Sequence, residues 1–123
     1  MKLVIRLHHA DVIITRGGED AARDFYCNLL GFTEIPKPKE LLKNGGLWLT
    51  IGDIQIHLSI QDSYDPRQTK SHLAYEVSDL ELMKERLKER SIEFKEGIPL
   101  PGLLRGDIRD PFGNRIEFLQ VLR

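Results

Sequence analysis

Three histidines and one glutamate are the residues of this chain best suited to act as metal ligands or catalytic groups. His9, His57, His72 and Glu117 each stand in a run of alternating apolar and polar residues, which is typical of β-strands. Side chains alternate between the faces of a strand, so each of the four lies opposite the apolar face of its strand. Imidazoles and a carboxylate that converge can hold a divalent metal ion.

The alternative interpretation is that these residues are structural. A lone histidine on a strand is more often a surface or hydrogen-bonded residue than a metal ligand. His8 offers an internal comparison, because strand parity places it on the face opposite that of His9, where we expect a structural or exposed side chain.

The stretch of residues 110–119 reads as a turn followed by a strand. Its sequence Asp-Pro-Phe-Gly-Asn has proline where a turn needs φ near −65° and glycine where it needs positive φ. In the following strand Glu117 lies on the face opposite Ile116 and Phe118. A carboxylate is costly to bury alone, so we expect it to face water, a cation or a metal ion.

The order of elements predicts an internal duplication of strand, helix, short strand and two-stranded hairpin. Helices are expected over residues 19–30 and from an N-cap at Ser78, with Glu81 at N3, to about residue 90. The offset from His9 to His72 exceeds that from His57 to Glu117 by the length of an Arg16-Gly17-Gly18 insertion. Strands are expected over residues 3–14, 32–35, 47–51, 54–60, 72–77, 92–94, 103–109 and from 115 onward.

The duplication predicts an α+β fold of two tandem β-α-β-β-β modules. We expect one domain over residues 1–123, with module one at about 1–60, a polar linker at about 61–71 and module two at about 72–123. Superposing the halves puts His9 over His72 and His57 over Glu117.

Composition argues against several classes of function. The 18 Lys and Arg residues nearly balance the 19 Asp and Glu residues, without long runs of one sign, so no nucleic-acid or membrane-surface partner is indicated. The single Cys27 rules out an intrachain disulfide and fits a reducing compartment. No apolar run is long enough to span a membrane, and we expect a cytoplasmic protein.

Several motifs together resemble a known family. They are Asp-Phe-Tyr-Cys-Asn-Leu-Leu-Gly-Phe, His-Leu-Ala-Tyr-Glu-Val and Asp-Pro-Phe-Gly-Asn-Arg-Ile-Glu-Phe, in this order. The chain is similar to the vicinal oxygen chelate superfamily, which includes glyoxalase I, extradiol dioxygenases, fosfomycin resistance thiol transferases and bleomycin resistance proteins. The resemblance implies two modules that form a curved, barrel-like mixed sheet, with helices outside, around a metal ion.

The resemblance also implies a ligand set. The family's metal ligands match His9, His72 and Glu117, and its fourth position matches His57. That position is Glu in bacterial glyoxalase I, so the histidine is a departure that weakens the match to the glutathione-dependent reaction. Thiol transferases do not use the position as a ligand, so His57 is either a ligand or a neighbour of the ligands.

The expected function is that of a metal-dependent glyoxalase-like enzyme, of lyase, isomerase, thiol-transferase or dioxygenase type. Zn, Ni, Mn, Co or Fe(II) would chelate two neighbouring oxygens of a small-molecule substrate. Glu117 is the candidate catalytic base as well as a ligand. Arg105, Asp107 and Trp48 are candidate substrate-binding residues, although Arg105 also reads as a solvated charge and Trp48 as a dimer contact.

A second class of function stays open at this point. Bleomycin resistance proteins of the family bind a small molecule without a metal ion, and the same cleft in this chain would suit that role. In either case we expect a homodimer.

Overall fold

Each half of the chain builds its own four-stranded mixed sheet. The computed structural model describes all residues from 1 to 123, and they divide into two units, Met1–Tyr64 and Asp65–Arg123. The division falls inside the segment predicted as a linker, and the assignment of both units to a single domain stays a prediction.

The sheet of the first unit has the strand order β1-β4-β3-β2. β1 runs parallel to β4, while β3 is antiparallel to both β4 and β2. The elements are β1 (His9–Ile14), α1 (Glu19–Ala22), a π-helix (Arg23–Leu29), β2 (Thr33–Ile35), a 3-10 helix (Lys39–Asn44), β3 (Leu47–Ile51) and β4 (Ile54–Ile60). The hairpin of β3 and β4 turns at Gly52, whose φ of 57° requires the freedom of glycine.

The second unit repeats this topology with the strand order β5-β8-β7-β6. β5 runs parallel to β8, and β7 is antiparallel to β8 and β6. Its elements are a 3-10 helix (Pro66–Gln68), β5 (His72–Glu76), α2 (Leu80–Glu89), β6 (Lys95–Glu96), β7 (Leu103–Arg109) and β8 (Arg115–Val121). The α+β class and the duplication of a β-α-β-β-β module are thus confirmed.

Apolar residues of alternate strand positions and of the helices form the core of each unit. The helical segment of the first unit changes from α to π after Ala22, and Leu30 donates to the carbonyl oxygen of Phe25. This wider turn lets Phe25, Tyr26 and Leu29 all be buried, where we expected one regular helix. The buried apolar strand residues include Ile14, Leu47, Leu49, Ile56 and Leu58 in the first unit and Ile108, Ile116 and Phe118 in the second.

Three predicted boundaries are wrong. The first strand begins at His9 and not at residue 3, because the preceding apolar residues, among them Leu3 and Ile5, lie exposed without a partner strand. The strand expected at 92–94 lies instead at β6, where Lys95 pairs with Asp107. The N-cap of α2 is Asp79 rather than Ser78, since the Asp79 carboxylate accepts the Leu82 N–H.

No helix of this chain combines the length and the apolar character needed to cross a membrane.

The turn between β7 and β8 is organised by a buried carboxylate. Oδ1 of Asp110 accepts the backbone N–H groups of Phe112 and Asn114 at 2.9 and 2.8 Å. Oδ2 accepts the side-chain amide of Asn114 at 2.8 Å, and Asp110 is only 4% exposed. The turn therefore fixes the start of β8, the strand that carries Glu117.

Replacing this carboxylate is expected to destabilise the protein. Asp110→Ala leaves two backbone donors without their acceptor, so we expect a loss of about 2–4 kcal/mol in the free energy of unfolding. Urea unfolding followed by circular dichroism measures the loss. Asp53→Ala, at the turn between β3 and β4, is the matched control, because the Asp53 side chain is 89% exposed. An equal loss in both variants would contradict the role of Asp110.

Candidate functional site

The second unit brings His72 and Glu117 into direct contact. β5 and β8 are parallel neighbours in which Ala74 pairs with Glu117, so His72 stands two residues before the partner of Glu117. Nε2 of His72 lies 3.1 Å from Oε1 of Glu117. Glu117 is buried, whereas His72 lies closer to the surface. His72 and Glu117 therefore lie side by side within the second unit.

Arg105 completes this contact. Its Nε donates to Oε2 of Glu117 at 2.9 Å, and its Nη1 donates to the carbonyl oxygen of Ile98 at 3.1 Å. The hydrogen bond from Arg105 holds the pKa of Glu117 below its usual value, with a further contribution from His72 and against the opposing effect of burial. Glu117 is therefore an ionised carboxylate whose Oε1 is directed at His72.

Asp107 forms a second ion pair on the same sheet. It pairs with Glu117 across β7 and β8, and its Oδ2 accepts from Nε of Arg115 at 2.6 Å. Arg105, Asp107, Arg109 and Arg115 all line a cavity of about 830 Å³. Arg115 was not among the residues singled out from sequence, although it shares the strand face of Glu117.

The first unit places His9 and His57 in the equivalent positions. Asp11 pairs with His57, so His9 stands two residues before the partner of His57, as His72 does relative to Glu117. The two imidazole rings are stacked, with centroids 4.1 Å apart and planes at 18°. Trp48 lies on the other side of His57, with centroids 4.0 Å apart and planes at 4°. We call these three residues the ring row.

His57 is the central and most buried member of the ring row. Its Nε2 lies 2.8 Å from Oε1 of Gln55, the residue two positions earlier on the same strand face. Burial lowers the pKa of His57, and the neighbouring His9 lowers it further, so the ring is neutral at pH 7. His8 is exposed, as expected, and its Nδ1 lies 3.0 Å from Nδ1 of His9.

The two pairs differ in how well they suit a metal ion. Two donor atoms that each lie about 2.1 Å from one cation, with a right angle between the two bonds, are about 3 Å apart. The separation of His72 Nε2 and Glu117 Oε1 matches this distance. An imidazole binds a cation in its own ring plane, so the nearly parallel rings of His9 and His57 do not suit one shared cation. No group of three or more His, Cys, Asp or Glu side chains is arranged around a common point.

The structure thus groups the predicted site residues into two sets. His72, Glu117 and Arg105 form one set with Asp107 nearby, and His9, His57 and Trp48 form the other. Reasoning from sequence missed Gln55 and Arg115, which hold His57 and Asp107. Gln55 precedes His57 by two residues, and Arg115 precedes Glu117 by two residues, so each shares the strand face of the residue it precedes. This spacing could have identified both from the sequence.

Comparison with known proteins identifies the class. The model of the Glyoxalase/Bleomycin resistance protein/Dioxygenase superfamily matches residues 6–118. The chain therefore belongs to this superfamily, as its motifs predicted. Among curated proteins, none matches the chain.

Solved structures agree with this assignment. A protein assigned to the glyoxalase family from Bacillus anthracis is 36% identical, with a TM-score of 0.89 and coverage of 98% of this chain and 99% of that one. The antibiotic binding protein TnmS3 from Streptomyces sp. CB03234 shares the fold at 20% identity, with a TM-score of 0.78 and coverage of 98% and 99%. The fosfomycin resistance protein FosX from Listeria monocytogenes shares it at 19% identity, with a TM-score of 0.78 and coverage of 96% and 94%.

A double-mutant cycle tests the contact between Arg105 and Glu117. We expect Arg105→Met and Glu117→Gln to couple in urea unfolding at pH 7, because each change alone leaves a poorly solvated partner. The pair of Arg23 and Glu34 serves as the control, because its N–O distance is also 2.9 Å. Its side chains are 44% and 40% exposed, whereas those of Arg105 and Glu117 are 20% and 10% exposed. Coupling no larger than that of the control pair would contradict the contact.

Proposed function

We propose that the protein is a metal-dependent enzyme of the glyoxalase type, which acts on a small molecule with two neighbouring oxygen atoms. His9, His72 and Glu117 are the proposed ligands of a divalent cation. The observation that carries the proposal is the 3.1 Å separation of His72 Nε2 and Glu117 Oε1, which suits two donors of one cation. That His9 joins these two residues is part of the proposal.

His57 receives a different role from that of a ligand. Its Nε2 is engaged with Gln55, and its ring is stacked between His9 and Trp48. We therefore assign it to fixing the ring orientation of His9. The Nδ1 of His9 faces His8, so Nε2 is the nitrogen that His9 would offer to a cation. Residues that orient a ligand in this way commonly affect metal affinity without contacting the ion.

Arg105 would prepare Glu117 for its role. By binding Oε2 it fixes the carboxylate and directs Oε1 toward His72. Because the same hydrogen bond lowers the pKa of Glu117, it favours an ionised ligand and makes the carboxylate a weaker base. We therefore propose the ligand role of Glu117 ahead of its role as the catalytic base.

The cation would supply a Lewis acid for two neighbouring substrate oxygens. Zn, Ni, Mn, Co and Fe(II) all accept nitrogen and oxygen donors of this kind. The chain's own residues would bind and orient the substrate, with Arg105 and Asp107 on one sheet and Trp48 on the other. Lyase, isomerase, thiol-transferase and dioxygenase reactions all fall within the proposal.

A metal-free binding protein is the second candidate, and the ring row favours it. The stacked rings fix the indole ring of Trp48 at one end of the row, and an aromatic side chain held in this way suits packing against a planar ligand. The engagement of Glu117 by Arg105 would then serve stability alone. TnmS3, an antibiotic binding protein, has the same fold.

Metal binding separates the two candidates. Protein purified without an affinity tag and freed of cations is titrated with Zn, Ni, Mn and Co in a calorimeter, and bound metal is measured by mass spectrometry. We expect one cation per chain, lost in His9→Ala, His72→Ala and Glu117→Ala. His57→Ala should keep the stoichiometry with affinity weakened about tenfold. Asp53→Ala, at the exposed turn between β3 and β4, is the control and should behave as the unchanged protein.

Two results would contradict this assignment. Loss of stoichiometric binding in His57→Ala would make His57 a ligand. Retention of the cation in His72→Ala, or a native protein that binds no cation at all, would favour the metal-free binding protein.

We also propose a homodimer. Light scattering after size exclusion should give twice the 14.2 kDa mass of one chain. Refolding a mixture of His9→Ala and Glu117→Ala chains then tests which chains supply the ligands. Recovery of cation binding would show that a site draws on both chains, and no recovery would show that each chain holds its own. A mass of a single chain would contradict the dimer.

A further inference from the structure

The first unit has a cavity beside Trp48 that the proposed metal ligands do not use. Its volume is about 590 Å³, which is within the range of pockets that bind small molecules. Trp48 and the segment that follows β2 form part of its wall. The other lining residues used here are the apolar Leu41 and the charged Asp11, Arg16, Lys37 and Lys43.

Trp48 lies at one end of the ring row and next to this segment. Across the sheet the strands follow the order β1-β4-β3-β2, and His9, His57 and Trp48 stand on β1, β4 and β3. His57 covers one face of Trp48, and Ile35, the partner of Trp48 on β2, stands beside the other face on the same side of the sheet. The chain leaves β2 at Ile35, and Lys37 comes two residues later. Trp48 is half-buried and lines the cavity, so part of its ring is accessible to a ligand there.

The charges around the cavity are mostly positive. Three of the four charged residues that line it are cationic. Arg16 is paired with Asp62 at 2.8 Å, and Asp11 accepts from the hydroxyl of Ser59 at 2.8 Å. Lys37 donates to the carbonyl oxygen of Gly45, which leaves two of its three ammonium donors. The two lysines therefore provide the charge that a ligand would meet beside Trp48.

The wall that carries the lysines is fixed to the rest of the unit. The backbone N–H of Gly46 donates to Oε2 of Glu19 at 2.9 Å. A Cβ atom on Gly46 would lie 2.1 Å from the carbonyl oxygen of Leu58, so the backbone approaches β4 more closely than other residues would allow. A wall anchored at Gly46 costs less to order when a ligand binds than an unanchored segment would.

We propose that this cavity binds a planar aromatic anion. The aromatic ring packs against the part of Trp48 that lines the cavity, and the anionic group is bound by Lys37 and Lys43. The inference deepens the proposed function and rests on it in taking Trp48 as a substrate-binding residue. It names a class of molecule, an aromatic carboxylate or a close equivalent, for that site.

Fluorescence tests the proposal directly, because Trp48 is the only tryptophan of the chain. The protein is titrated with 4-nitrobenzoate, a planar anion that quenches tryptophan, in buffer with a chelator so that no cation takes part. We expect saturable quenching. The neutral 4-nitrobenzamide and the non-planar cyclohexanecarboxylate, the latter measured by competition, should each bind about tenfold more weakly.

Variants assign the binding to the named residues. Trp48→Leu, measured by equilibrium dialysis, should weaken 4-nitrobenzoate binding about tenfold. Lys37→Gln and Lys43→Gln should each weaken it about threefold. Lys39→Gln is the matched control, since Lys39 lies in the same segment and does not line the cavity. Circular dichroism verifies that each variant is folded.

Several outcomes would overturn the inference. They are quenching that does not saturate, equal affinity for the acid and its amide, an effect of Lys39→Gln as large as that of Lys43→Gln, or binding that appears only when a cation is added. Because this titration excludes cations, its result is independent of the metal titration. Failure of the metal site leaves the planar-anion site standing, and the reverse also holds.

Discussion

The parallel pairing of the first and last strands of each unit is the constraint on which the candidate site depends. In the first unit His9 stands two residues before Asp11, which pairs with His57. In the second unit His72 stands two residues before Ala74, which pairs with Glu117. A shift of one residue in this register would turn either set to the opposite face of its sheet. The buried apolar residues that alternate with His57 and Glu117 hold the register, because slipping would expose them to water.

One backbone frame thus supports two different kinds of contact. Where the last strand offers a carboxylate, the histidine and the acid form a hydrogen bond that Arg105 reinforces. Where it offers the imidazole of His57, there is no opposite charge, and the rings stack instead. The duplicated chain has therefore diverged into an ionic set and an aromatic set. His57 and its strand partner Trp48 in the first unit correspond to Glu117 and its partner Asp107 in the second.

Most strand positions could be predicted from the sequence because the patterns that mark them are local. β3, β4 and β7 lie at the expected positions, since alternation and turn residues mark their ends. The start of β1 and the place of β6 depended on partner strands that no local pattern reveals. Strand parity singled out the three proposed ligands and His57. The stacking of His57 on Trp48 and the engagement of Glu117 by Arg105 depend on side-chain rotamers, which spacing does not determine.

The strand order also constrains how the protein forms during synthesis. Within each unit the first strand has only one neighbour, and that neighbour is the last strand of the same unit. On the ribosome His9 and its strand therefore emerge early but remain without hydrogen-bonding partners until Ile54–Ile60 has left the exit tunnel. The first strand of each module therefore stays unpaired until nearly the whole module has been synthesised. During that time chaperones can bind the strand, or it can pair with a wrong partner.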